Sequence, residues 1–248
     1  MRPEQLSKQR QKYVQSLHLK KNRVESGLFL VEGIKNLAEA LRAGWDFDHV
    51  YLSTKGWDAL QDNLGQTSWS IENVESIQKI STLQVNQDGV GIARQKTWEA
   101  LPCTGLNLVL DGLKDPGNLG TILRLADWYN VHQIWCTPDC VELYNPKVIA
   151  ASMGSFTRVR VILSGLEEAL TQTNLPVFGA FLDGQSVYEP QFPETGWLII
   201  GSESHGIRPN LASFVTNQLT IPRRGQAESL NASIATGILL DNWFRPLK

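Results

Sequence analysis

Cysteine is scarce in this chain: three residues in 248, at 103, 136 and 140, with no CxxC pair. The odd count and missing pairs argue against a disulfide framework and a structural zinc site. The four histidines, 18, 49, 132 and 205, show no metal-ligand spacing, and no metal is expected. No apolar run nears the roughly 20 residues that cross a bilayer. The basic N-terminus lacks the apolar core of a signal peptide. A cytoplasmic protein with no membrane partner is expected. No GxGxxG follows a strand-like run, so a dinucleotide site is unsupported. Gly201 and Gly206 stand at P-loop spacing, but Ile207-Arg208 replaces the Lys-Ser/Thr pair, which argues against triphosphate hydrolysis. A GxSxG elbow is also missing, as are internal repeats and low-complexity tracts.

What is present is an ordinary globular composition, 42% hydrophobic and 19% charged, with a net charge of −2. That total hides an asymmetry. Residues 1–25 carry Arg2, Lys8, Arg10, Lys12, Lys20, Lys21 and Arg23 against Glu4 and Glu25. This segment is +5, which leaves −7 on the remainder. A basic segment on an acidic protein suits a polyanion. A solvated amphipathic helix has the same composition, and charge alone does not choose between them.

The pattern predicts two α/β units. In the first, residues 28–32 read as a strand, 33–43 as a helix ended by Gly44, and 50–53 as a second strand. Helical patterns follow near 57–63 and 73–80, and 89–94 closes the unit. Residues 1–97 form this first domain and 98–105, with Pro102, a linker. Residues 106–248 form the second domain. It opens on Leu106 to Leu110, a continuous apolar run suited to a strand buried on both faces. Residues 118–129 carry Leu119, Ile122, Leu123 and Ala126, the stripe of an amphipathic helix. Further strands are expected at 133–136, 159–163, 177–181, 197–200 and 219–221. The last helix is predicted to bury Leu230, Ile234 and Ile238, with Leu239 and Trp243 widening the stripe. Strands alternating with helices imply a mostly parallel sheet covered on both faces.

Three polar loops follow strand-like runs: 111–118, 201–206 and 222–231. Together they suggest one pocket at an end of a sheet. The first leads into Pro116-Gly117-Asn118-Leu119-Gly120-Thr121-Ile122-Leu123-Arg124. Arg124 reads either as a surface arginine or, since Leu123 and Leu125 flank it, as a partly buried one that needs a partner. The second loop is Gly201-Ser202-Glu203, and the third runs from Ile221-Pro222 to Ser229-Leu230-Asn231-Ala232-Ser233.

This ordered set resembles the SpoU (TrmH-like) family of RNA ribose 2′-O-methyltransferases over about residues 105–248. Lys20-Lys21-Asn22-Arg23 and Gly27 to Gly33 resemble the RNA-binding domain often joined to it. The resemblance implies a trefoil-knotted, mostly parallel α/β methyltransferase domain preceded by a small α/β RNA-binding domain. It implies a homodimer and S-adenosyl-L-methionine as cofactor. Asn118, Arg124, Glu203, Ser229 and Asn231 would be the catalytic set. Gly201, Ile221 and Leu230 would hold the cofactor, with glycine at 201 letting the backbone approach it. Arg124 would bind the 2′-oxygen or a phosphate and stabilise negative charge, since a guanidinium is a poor base. Glu203 would orient Arg124, and Ser229 would position substrate or cap the last helix. Lys20, Lys21, Arg23, Arg223 and Arg224 would meet RNA phosphates, and Glu228 would pair with Arg223 or Arg224. Asn130 stands where Gly is usual after the first helix and can take the left-handed cap conformation. The expected substrate is ribosomal RNA. The alternatives are transfer RNA, a base-directed methyltransferase of the same broad group, or a non-catalytic RNA-binding assembly factor.

Overall fold

The computed structural model describes residues 6–245; Arg2 and Glu4 of the basic segment lie outside the described residues. The chain forms two compact units. One comprises the chain up to Lys96 together with Glu142–Arg158, and the other Thr97–Val141 and the chain from Val159 on. Residues 142–158, expected from chain order in the second domain, thus belong to the first unit.

The first unit carries strands β1 (Leu28–Glu32), β2 (Phe47–Leu52), β3 (Trp69–Ile71) and β4 (Gly89–Arg94) in the order β1-β4-β2-β3. β4 runs antiparallel to both β1 and β2, and β3 is parallel to β2. Val14, Leu17, Leu30, Tyr51, Ile77, Ile80, Val90 and Ile92 form its core. β3 escaped the sequence reading because three residues are too few to show alternation. Aromatic packing holds 142–158 in this unit. The Phe29 ring centroid lies 4.4 Å from that of Tyr144 and 6.0 Å from that of Phe156.

Arg23 belongs to this packing. Its side chain is 2% exposed and donates to both Glu142 oxygens, Nε to Oε1 at 3.0 Å and Nη2 to Oε2 at 2.7 Å. Nη1 donates to the carbonyls of Leu17 and His18 at 2.7 and 2.8 Å. This guanidinium is fully committed to the protein, so its expected phosphate contact is withdrawn. Lys20 and Lys21 remain exposed.

The second unit is a parallel sheet of β5 (Leu106–Asp111), β6 (Gln133–Cys136), β7 (Val161–Ile162), β8 (Val177–Ser186), β9 (Gly196–Gly201) and β10 (Asn217–Thr220). Its order is β10-β8-β9-β5-β6-β7, and every neighbouring pair is parallel. β5 and β6 are buried along their whole length, as strands with both faces covered must be. The β5–β9 register ends at Asp111↔Gly201. The first two polar loops therefore leave the sheet side by side, at the strand ends where open α/β sheets bind ligands.

Two helices pack against each other in this unit. Pro116–Trp128 buries Leu119, Ile122, Leu123 and Ala126, the expected stripe. Asn130, just past its end, has φ +51°, the left-handed cap conformation. Ala232–Trp243 behaves differently: it buries Ala232, Ser233, Thr236, Leu239, Leu240 and Trp243. Ile234 is 55% exposed and Leu230, before the helix, 45%. Of the expected stripe, Leu239 and Trp243 are buried, while Leu230 and Ile234 are not. The helix is apolar nearly all round, so periodicity carries no direction. Its small residues allow close approach instead: a Cβ on Gly237 would sit 3.6 Å from the Leu125 methyls.

Candidate active site

The site is built on one hydrogen-bonded chain of side chains. Asp115 caps the Pro116–Trp128 helix, its Oδ1 accepting from the Asn118 amide at 2.7 Å. That fixes the backbone at Asn118, whose side chain is 7% exposed. Asn118 Nδ2 donates to Glu203 Oε1. Asn118 Oδ1 accepts from Asn231 Nδ2 at 2.9 Å. Asn231 Oδ1 then accepts from the Ser233 and Ile234 amides at 3.0 and 3.3 Å, capping the last helix. Such a cap contributes about 1 kcal/mol.

The directions of these bonds are forced. An ionised carboxylate only accepts. Glu203 therefore turns the amide of Asn118 nitrogen-first, which leaves its oxygen for Asn231. Asn231 must answer with its nitrogen and keep its oxygen for the helix. One charge thus sets the orientation of two amides from two other loops. Asn118, Glu203 and Asn231, drawn from three separated segments, are brought together.

The remaining expected residues fall outside this chain of bonds. Arg124 is six residues along the helix from Asn118, about 9 Å at 1.5 Å per residue. Its side chain is exposed and, among the described residues, has no hydrogen bond or ion pair. Of the two readings of Arg124 the surface one holds, and the expected Arg124–Glu203 pair is corrected: Glu203 accepts from Asn118 instead. Ser229 is exposed and does not cap the helix, because Asn231 does. Gly201 is required by the chain itself, since a Cβ there would lie 2.0 Å from the Gly206 carbonyl carbon. That contact alone demands a glycine here, whether or not a ligand also approaches its backbone.

The third loop is open. From 223 to 230 no main-chain group pairs with another main-chain group among the described residues. Every side chain from Arg223 to Leu230 is exposed. Arg223 Nη1 donates to the Ala227 carbonyl at 3.3 Å, and neither arginine pairs with Glu228. Ile221 is half-buried at the head of this loop. Nearby, the β8–β10 register jumps from Gln218↔Gly179 to Leu219↔Gln185. The resulting bulge is pinned where Thr220 Oγ1 donates to the Leu182 carbonyl at 2.8 Å, and Leu182 is left exposed. Apolar side chains beside unpaired main-chain groups match what a flat heteroaromatic ligand needs: packing on its faces and polar groups at its edge.

A second cluster underlies the first two loops. Asp111, buried at the end of β5, accepts from the Arg208 amide at 2.8 Å and from Arg208 Nε at 2.7 Å. Arg208 Nη2 also reaches Asp139 Oδ1 at 3.0 Å. Asp139 in turn pairs with Lys114 Nζ at 3.1 Å and accepts from the Thr137 hydroxyl at 2.8 Å. The Thr137 hydroxyl, then Lys114 and Arg208, hold the Asp139 carboxyl down at about 2. Sequence reading missed this cluster, whose partners lie up to 97 residues apart. Beside it the Cys136 thiol pulls Cys140 down to about 6, while Cys136 itself is pushed up. Among the described residues no His, Cys, Asp and Glu group is arranged to hold a metal ion, and no helix is long and apolar enough to cross a membrane.

Comparison with known proteins converges on the same segments. The SpoU rRNA methylase family matches residues 105–241, and the MRM3-like substrate-binding domain matches 8–91. An uncharacterized tRNA/rRNA methyltransferase of Synechocystis is 35% identical over 92% of this chain and 88% of its own. The 23S rRNA (guanosine(2553)-2′-O)-methyltransferase of Bacillus subtilis is 26% identical over 96% of both chains. The AdoMet-bound rRNA methyltransferase of Sinorhizobium meliloti superposes with a TM-score of 0.86 at 25% identity, covering 98% of this chain and 96% of that one. With the ordered Asn118, Glu203 and Asn231 cluster at the ends of a parallel sheet, these matches place the chain in the SpoU family of RNA methyltransferases, with a substrate-binding domain at its N-terminal end.

Proposed function

We propose that this protein transfers a methyl group from S-adenosyl-L-methionine to a ribose 2′-hydroxyl of ribosomal RNA. The observation that carries the reading is the convergence of Asn118, Glu203 and Asn231 at the start of a helix whose outer face presents Arg124 without a partner among the described residues. When bound, the cofactor supplies a methyl group activated by its sulfonium charge. Ile221, Leu230 and the open loop 223–230, whose main chain makes no main-chain pair among the described residues, suit its adenosine part. Leu182 adds apolar surface next to Thr220.

The chain's own residues supply alignment and charge. Asn118 and Asn231, locked by Glu203, present fixed amides to the substrate, and alignment of this kind removes much of a barrier. Arg124 stabilises negative charge as the 2′-oxygen gives its proton to solvent. A free guanidinium is suited to that task because no protein carboxylate neutralises it. Ser229 adds a hydroxyl at the edge of the same loop. Lys20 and Lys21 in the N-terminal domain, and Arg223 and Arg224 on the open loop, neutralise phosphates. The 2′-hydroxyl restricts the substrate to RNA.

The reading extends to a knotted, cytoplasmic homodimer. Trp128 is 83% exposed, and Ile234 and Phe244 join it as exposed apolar side chains on or at the ends of the paired helices. Exposed apolar surface of this kind marks a contact face. A solution mass near twice 27.7 kDa is expected, and a monomer at micromolar concentration would contradict it. The main reading is tested by incubating purified protein with methyl-labelled cofactor and unmodified ribosomal RNA transcripts. Label entering the RNA is the expected result; none entering overturns the assignment. Label entering transfer RNA alone would move the substrate class.

A further inference from the structure

We infer that Arg208 is a positioning residue for the methyl-transfer site: it sets the Glu203–Asn118 contact without touching either side chain. The inference rests on the reading above and goes beyond the residues expected from sequence.

Glu203 lies in a short loop closed on itself. The Ser202 amide donates to the Gly206 carbonyl at 3.2 Å and the Gly206 amide to the Ser202 carbonyl at 2.9 Å. Arg208 is two residues beyond that closure and fastens its base. Its main-chain amide and its Nε both end on Asp111, and Nη2 bridges Asp111 and Asp139. Asp111 is the last residue of β5, immediately before the loop that leads to Asn118. Asp139 sits in the loop after β6 and also pairs with Lys114, within the Asn118 loop. One side chain therefore ties the bases of three loops, two of which carry the halves of the Glu203–Asn118 bond.

The chemistry of the pair points the same way. Only the Asp111 side chain is buried, while that of Arg208 is 40% exposed, and an ion pair of this kind is weak evidence of stability. What it offers is a fixed geometry. The Asp111 carboxylate is fully buried, and Arg208 meets it from the side with two donors, an arrangement a lysine cannot copy. A displacement at the loop base is passed directly to Glu203. Because Glu203 orients both amides, a small shift there would turn Asn118 and Asn231 together.

The test uses full-length protein and two kinds of measurement. Arg208→Gln is expected to lower kcat at least tenfold, while the Kd for RNA and for the cofactor change less than threefold. Hydrogen exchange should quicken at residues 201–207 and 112–118. Arg208→Lys should recover part of kcat. Combined with Glu203→Gln, the Arg208→Gln change should add no further loss, because both act through one contact. If Arg208→Gln does not fold, Asp139→Asn decides the matter: it removes only the half-exposed third tie. A two- to fivefold fall in kcat, again absent on the Glu203→Gln background, is expected. Wild-type kcat in whichever folded variant is tested, losses that multiply with Glu203→Gln, or unchanged exchange would each overturn the inference. The exchange measurement needs no activity, so it separates this failure from a failure of the functional reading.

Discussion

Arg23 in the first unit and Arg124 in the second occupy opposite environments. Arg23 is buried, with four hydrogen bonds that use Nε, Nη1 and Nη2. Arg124 stands on a helix whose other face is core, with no partner among the described residues. The same functional group is a structural tie in one place and an available charge in the other. Burial decides which, because a guanidinium taken out of water must be paired by the protein. Only an unpaired, solvated one can give its charge to a substrate.

The comparison breaks if the two arginines respond alike to truncation. Arg124→Ala should lower kcat by about 10²–10³-fold, the range for loss of a charge-stabilising donor, with stability unchanged within about 0.5 kcal/mol. Labelled-methyl kinetics and urea unfolding of the same preparation check both parts. Arg23→Ala should do the reverse. It leaves Glu142 without its partner and should destabilise the protein by about 3–5 kcal/mol, read as a lower urea midpoint. RNA affinity of the folded fraction should not change. The smallest effect is expected at the open loop. Replacing Arg223 and Arg224 together by alanine should raise the RNA Kd several-fold at low salt and less at high salt. The slope of log K against log salt should flatten by about 1–2. An equal loss at both salt concentrations would remove these side chains from the phosphate contacts.

Much of this layout was legible in the sequence, for identifiable reasons. β1, β4 and β6 match their expected bounds because each is a compact run between breakers. Asn118, Glu203 and Asn231 were legible as a set, though not the bond that joins them. The expected partner of Glu203 was Arg124, a choice made on charge. The structure shows a neutral amide there, because Asp115 holds the backbone of Asn118 at the helix start. Arg23 misled because a basic run looks the same whether its members face solvent or a partly buried glutamate 119 residues away. The last helix was half legible: Leu239 and Trp243 are buried as expected, but with apolar side chains on most faces the pattern also drew in Leu230 and Ile234, which are exposed. Asp111 and Arg208 left no local trace, since no periodicity encodes an ion pair between distant loops.

The central claim is that the methyl group arrives on a ribose oxygen, and alkaline hydrolysis of the labelled RNA tests it most directly. A methylated 2′-oxygen cannot attack the neighbouring phosphodiester, so the linkage that follows it survives alkali. The account predicts that the label is recovered in an alkali-resistant dinucleotide. Label recovered in a mononucleotide, carried on its base, would contradict it.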